Sequence, residues 1–236
     1  MATDLLNEAQ LAALRELDTP TVCNALEVLL PERRAHGYTE ETFECVEPTL
    51  APMVGYARTA TIRSVRPGTK QGDEMREQRM AYYRYVQDGP SPGIAVIQDL
   101  DGARAGYGSF WGEVNSAVHR ALGCLGGITD GSMRDLGDIA PGFQLLARKV
   151  VPSHAFVHLE DFGCQVNVCG MLVQSGDLIH ADRHGAVVIP QEVAADVAGA
   201  AETVAGREKH VLDAVRDPNF TFDMLEAAFA EMTKGR

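Results

Sequence analysis

The chain has 236 residues, 45% of them apolar and 23% charged, an ordinary globular composition. Its 33 acidic residues against 21 basic ones give a formal charge of −12, which argues against nucleic acid as a partner, since a phosphate backbone needs a basic stripe. No apolar stretch approaches the roughly 18 residues of a membrane span, and no N-terminal run reads as a signal peptide, so a cytoplasmic protein without a membrane partner is expected. The length suits one domain over residues 1–236, with a core over about residues 18–190 and a C-terminal helical extension over 191–236.

In chain order, residues 7–17 read as a helix with Leu11 and Leu14 on its apolar side. Asp18 or Thr19 can cap a second helix, Pro20 stands at its first position, and Val22, Ala25, Leu26 and Leu29 form its buried side before Pro31 ends it. Residues 32–52 have no period, which suggests a lid, a subunit contact or a mobile segment. Alternation over residues 55–65 predicts a strand of mixed burial. Gly72-Asp73 opens a helix whose Met75, Arg79, Tyr82, Tyr83 and Val86 make a core stripe.

The middle of the chain carries the chemistry. Apolar runs at residues 94–100 and 125–129 read as buried strands, and between them Val114, Ala117, Val118, Ala121 and Leu122 share a helical face. Asp130-Gly131 then reads as a turn. A right-handed crossover makes the two strands parallel, so the loops after both emerge at one sheet edge, where open α/β sheets place ligands. Glu113, twenty further residues, Arg134-Asp135, two more and Asp138 therefore meet at that edge. The first-turn amides of Gly112, Glu113, Val114 and Asn115 can receive an anion. Together these groups suit a small substrate with a carboxylate and a second oxygen, held by the amides, a divalent metal and Arg134. A surface ion-pair cluster at a helix start would use the same residues. The glycines 102, 106, 108 and 112 outline a dinucleotide loop, but the 106-108-112 spacing is one residue too long, and Phe110-Trp111 is bulky where backbone should meet pyrophosphate.

From Phe143 onward, short apolar runs alternate with turns, predicting a mixed sheet whose β-rich layer packs on the α/β part. His154, His158, Cys164 and Cys169 have the look of zinc ligands, but 164 and 169 fall on opposite faces of a regular strand. The five cysteines read as free thiols. His180, Asp182, Arg183 and His184 form a polar cluster, read as a proton-supplying or subunit-bridging group or a charged hairpin tip. After Pro190, Val193, Val197, Ala200, Val204, Val211 and Val215 trace one helix side, and Phe222, Leu225, Ala228, Phe229 and Met232 another.

The segments GGITDGSMRD, WGE and PGF, with DTPTVCNAL upstream and GDLIHADRHGAVVIP downstream, resemble the RraA-like family over roughly residues 18–190. That family includes the class II 4-hydroxy-4-methyl-2-oxoglutarate/4-carboxy-4-hydroxy-2-oxoadipate (HMG/CHA) aldolases. The resemblance implies an α/β fold, a swivelling β/β/α domain with a mixed sheet, a central βαβ unit and extra N- and C-terminal helices. It also implies a metal-dependent lyase acting on a small 2-oxo acid, by retro-aldol cleavage and/or oxaloacetate decarboxylation through a pyruvate enolate. In that reading Asp135 binds Mg2+ or Mn2+ directly, Glu113 and Asp138 act through water, and Arg134 donates to the 2-oxo oxygen. The aldolases have Asp where this chain has Glu113, and a Gly-Asp-Asn where Glu74 follows Gly72-Asp73, so no role is carried to Glu74. The family's regulatory members, which inhibit RNase E, lack the full metal set. A non-catalytic binding protein or a dehydratase on the same metal site are the alternatives, and a homotrimer or homohexamer is the implied assembly.

Overall fold

The computed structural model describes residues 5–233, and among them six α-helices and ten strands. α1 (Glu8–Arg15) starts at Asn7, whose side chain accepts from the Gln10 amide while the Gln10 side chain returns to the Asn7 amide. This reciprocal pairing satisfies two otherwise orphaned donors. α2 (Thr19–Leu29) is capped by Asp18, which accepts from the Thr21 amide, with Pro20 in its first turn. Leu11, Leu14, Val22, Ala25 and Leu26 are buried, as their spacing predicts.

The principal sheet runs β1-β5-β4-β3-β2-β9-β10, with β6 also on β2. These strands are β1 (Glu44–Cys45), β2 (Met53–Arg63), β3 (Gly93–Asp99), β4 (Cys124–Met133), β5 (Gln144–Val150), β6 (His158–Phe162), β9 (Leu178–Asp182) and β10 (Gly185–Ile189). Strands β2 to β5 pair in parallel, and the remaining pairings are antiparallel. The sheet is mixed, as expected. β2 is buried along its length except at Arg63, so its alternation does not mark a solvent face. Both faces are covered, which removes the energetic reason for alternation.

One face packs Ile94, Val96, Ile128 and Leu146 against the hairpin of β7 (Val166–Val168) and β8 (Met171–Val173). The other packs Ile97, Met133 and Leu145 against Tyr82, Val86 and Trp111, under α3 (Gly72–Asp88) and α4 (Glu113–Ala121). A third cluster joins α1, α2 and α5 (Val197–Arg216) to β9 and β10. Beyond it α6 (Phe222–Thr233) buries Ala228 but leaves Phe222 68% exposed, so its apolar stripe is only partly covered.

Several expectations need correction. Residues 32–52 are not wholly irregular: a short 3-10 helix (Pro31–Ala35) and β1 lie there, and Tyr38 bridges to Val187. Asp130-Gly131 is not a turn, because β4 runs through it to Met133; the β4–β5 register slips between Thr129 and Ser132, as a bulge requires. On α4 the predicted apolar face is not the buried one. Val114 is 71% exposed, and the helix buries Ser116 and His119. His119 donates from Nδ1 to Asn115 O (2.7 Å) and accepts at Nε2 from the Tyr82 hydroxyl (2.8 Å), so its polar atoms are satisfied inside the aromatic cluster. The 180–184 cluster divides: Arg183 and His184 form the exposed tip of the β9–β10 hairpin, whereas His180 and Asp182 are buried and tie β9 to the α1–α2 corner.

Candidate active site at the edge of the parallel sheet

The loop between β3 and α4 is tied down before it reaches the site. Asp99, the last residue of β3, accepts the amides of Asp101 (3.0 Å) and Gly106 (2.8 Å). Gly106 has φ +78, a conformation glycine adopts without steric cost. Further on, Trp111 forms a parallel bridge with Met133, and its carbonyl accepts the Arg134 amide at 3.0 Å. The Ser109 hydroxyl lies 2.6 Å from Trp111 O and 3.0 Å from Ser132 O. Trp111 is fully buried on Gly127, where a Cβ would fall 2.5 Å from the indole. The loop is thus zipped onto the end of β4, which sets Gly112-Glu113 beside Arg134-Asp135.

Asp135 is the pivot of the arrangement. Its φ of +54 is a left-handed value that costs a non-glycine residue about 1–2 kcal/mol. Its carboxylate Oδ2 accepts the Glu113 amide at 3.3 Å and lies 3.6 Å from Arg134 Nε. A Cβ at position 112 would sit 2.5 Å from the same oxygen, so glycine there is what admits the carboxylate. The Asp138 amide donates to Asp135 O (2.9 Å) and closes the turn. Ser116 then fastens the following segment to α4, donating to Glu113 O (2.9 Å) and accepting from the Ala140 amide (3.0 Å).

Glu113, Arg134 and Asp135 therefore meet, as their spacing predicts, with Asp138 one turn beyond. One difference concerns the amides. The anion at the start of α4 is the chain's own Asp135, so the Glu113 amide is engaged, while those of Val114 and Asn115 lie in the same uncapped turn. The Asn115 side chain is also engaged, donating to Phe110 O (2.6 Å) and accepting from the Tyr83 hydroxyl (3.0 Å). The side chains of Arg134 and Asp135 keep 37% and 34% of their surface open, which leaves them accessible.

Among the described residues, no three His, Cys, Asp or Glu side chains converge closely enough to hold a metal by themselves. A cation here would rest on the carboxylate of Asp135, a residue to which Glu113 and Asp138 are joined through their backbone amides. Such a hard, sparsely liganded site fits magnesium or manganese, which keep several waters, better than zinc.

The residues that hold the site in shape left little trace in the sequence. Ser109, Trp111, Ser116 and His119 act through contacts with distant segments. Burial lowers the His119 pKa to about 4, so the ring is neutral at physiological pH. Asp130 is pushed the other way, up to about 7, by burial first and the nearby Asp99 charge next, although its Oδ1 accepts the Asp99 amide at 2.7 Å.

With this geometry in view, comparison with known proteins gives a consistent answer. A protein-family model described as RraA-like, Aldolase/RraA, matches residues 19–188. The chain belongs to the RraA-like family. A curated relative of this RraA-like chain, an uncharacterized protein of Methanocaldococcus jannaschii, is 30% identical over 122 residues, 51% of this chain and 59% of that protein. The chain thus spans less than two thirds of that relative's length. Among solved structures, an uncharacterized protein from Pseudomonas syringae pv. tomato is similar with a TM-score of 0.72, 23% identity and coverage of 97% of this chain and 96% of that one. A Streptomyces coelicolor structure, described as an unusual member of the RNase ES inhibitor RraA protein family, has a TM-score of 0.68 and 19% identity, covering 87% and 96%. At these identities the structural matches speak for the fold.

Proposed function

We propose that this RraA-like chain is a divalent-metal-dependent lyase that cleaves the bond between the third and fourth carbons of a small 2-oxo acid, decarboxylates oxaloacetate, or does both. The observation that carries this reading is the strained Asp135, whose carboxylate is fixed between the Glu113 amide and Arg134 yet stays open to solvent. Strain kept at an accessible ion pair is characteristic of functional sites.

Asp135 would hold magnesium or manganese, with Glu113 and Asp138 reaching it through water. The ion supplies positive charge that polarises the 2-oxo group. Arg134 faces the same oxygen and donates to it as negative charge builds during cleavage, a contact stronger in the transition state than in the ground state. The free amides of Val114 and Asn115 receive the substrate carboxylate at the positive end of α4. Gly112 keeps the Asp135 carboxylate against the helix.

The test is pyruvate release from oxaloacetate, with magnesium, with EDTA, and with Asp135→Asn, each corrected for decarboxylation by metal alone. Release that requires both magnesium and Asp135 supports the lyase. A folded wild type that only matches the metal blank rejects it.

The openness of Arg134 and Asp135 also favours a second reading, in which this surface binds another protein. A non-catalytic regulatory role, as for the RNase ES inhibitor relative, would then apply. Co-purification with a ribonuclease, lost in Arg134→Ala, would favour that role, and a dehydratase on the same site would instead release water from a 2-hydroxy acid.

A further inference from the structure

Adjoining cavities run along one side of the molecule from the loop after β2 to the first turns of α3. The first, about 510 Å3, is bordered by Arg63, Arg66 and Arg104. The second, about 500 Å3, is bordered by Lys70, Arg79, Met75 and Phe156. Pro67, Gly68 and His158 border both, and a Cβ on Gly68 would lie 2.7 Å from the His158 ring, so the two are lobes of one groove.

The carboxylates bordering these lobes, Asp101 and Glu160, are already engaged. Asp101 accepts the amides of Ser64 (2.6 Å) and Val65 (2.9 Å), and these bonds outweigh its partial burial to hold its pKa below the usual carboxylate range. Glu160 lies 3.0 Å from His158 and 3.6 Å from Arg63. Arg63 is absorbed with them, donating to Leu100 O at 2.7 Å. Among the described residues, Arg66, Lys70, Arg79 and Arg104 make no ion pair, and Arg104 lies over the Tyr107 ring at 4.3 Å. A chain with net charge −12 thus gathers four unneutralised cations in one groove.

Beside them Phe156 is 55% exposed, an aromatic face in a lobe that Pro67, Met75 and Val157 also border. We propose that this groove binds a small phosphorylated molecule with a planar ring, its phosphates between Arg66 and Arg104 and its ring on Phe156. Guanidinium forks match phosphate oxygens, and the surplus positive charge suits a diphosphate better than a single carboxylate. An exposed aromatic beside cations is the usual platform for a base. The proposal does not rest on the lyase reading, since Glu113, Arg134 and Asp135 do not border either lobe.

Isothermal titration of the full chain with adenosine diphosphate, inorganic pyrophosphate and citrate tests it. The variants are Arg66→Ala/Arg104→Ala, Phe156→Ala and Arg134→Ala, all at exposed or half-exposed side chains, with folding checked by thermal melting. The expected result is saturable binding of the nucleotide that weakens by about tenfold or more in the double variant, as loss of charge-assisted bonds implies. Phe156→Ala should weaken the nucleotide and spare pyrophosphate, and Arg134→Ala should change neither. Absence of saturable binding overturns the proposal, as does citrate binding as tightly as pyrophosphate. Nucleotide binding lost in Arg134→Ala but kept in the double variant also overturns it, by assigning the ligand to the candidate active site.

Discussion

Two polar clusters of similar composition face opposite fates in this fold. Around His180, the polar side-chain atoms of Thr19, His180 and Asp182 are consumed within the chain. Nε2 donates towards Leu14 O (3.1 Å) and Leu17 O (3.0 Å), Nδ1 accepts from the Thr19 hydroxyl (3.0 Å), and Asp182 takes the Thr19 amide (2.9 Å) and His184. Around Arg134, Asp135 is fastened by single contacts and held at a strained φ, and much of both side chains stays in solvent. Saturated hydrogen bonding marks a joint, and partial saturation at an accessible place marks a site.

Substitutions sharpen the contrast. The largest expected effect is Arg134→Ala, which should cost about a hundredfold to a thousandfold in pyruvate release while moving stability by no more than about 0.5 kcal/mol. Arg134→Lys should be nearly as damaging, because an ammonium lacks the planar fork. A lysine variant with most of the wild-type rate would remove Arg134 from its role. His180→Ala should show the reverse, losing about 2–4 kcal/mol in denaturant melts through a cavity and orphaned carbonyls, with the rate per folded molecule kept. If that rate collapsed instead, the joint would be part of the site.

Gly112→Ala lies between the two. Its Cβ displaces the Asp135 carboxylate from the Glu113 amide, so we expect about tenfold lower activity and a raised magnesium requirement, with stability shifted by less than about 1 kcal/mol. Unchanged activity would show that the carboxylate works equally well elsewhere.

The smallest effect is on pH dependence. Folded His119 and His180 have lowered pKa values, chiefly from burial. The unfolded chain therefore takes up protons first as pH falls below about 6.5, down to about 4 for His119, and each histidine costs up to about 1.4 kcal/mol of stability per pH unit. Asp130, raised to about 7, works the other way: the folded chain holds its proton while the unfolded chain has lost it, so its contribution is full below the unfolded carboxyl pKa and fades as pH rises to 7. Asp130→Asn keeps an acceptor for the Asp99 amide and removes this opposition. Its loss of stability on acidification should be steeper than wild type, read as the pH dependence of the denaturant midpoint; equal slopes would refute the shift.

The β3-α4-β4 unit and the meeting of Glu113 with Arg134 and Asp135 were legible because they follow from local patterns: apolar runs of strand length and the spacing of a crossover. The α4 face was misread because Val114 and Ala117 are apolar but exposed, while Ser116 and His119 are polar but satisfied by Glu113, Asn115 and Tyr82. Hydropathy records a side chain's cost in isolation and not its partner 37 residues away. Asp130-Gly131 has the composition of a turn, and only pairing with β5 shows that it is a bulge. The cationic groove was illegible for a related reason, since its residues come from separate loops and from α3 within an acidic chain.

Trp111 carries one last consequence. It is the sole tryptophan, fully enclosed, with its ring 4.8 Å from His119 and 5.5 Å from Phe143, while its carbonyl holds the Arg134 amide. The protein therefore contains an intrinsic fluorophore bolted to the turn that carries Arg134 and Asp135. Its emission should be blue-shifted in the native chain, and any ligand that shifts this turn should change its intensity, so occupancy can be followed optically without a label.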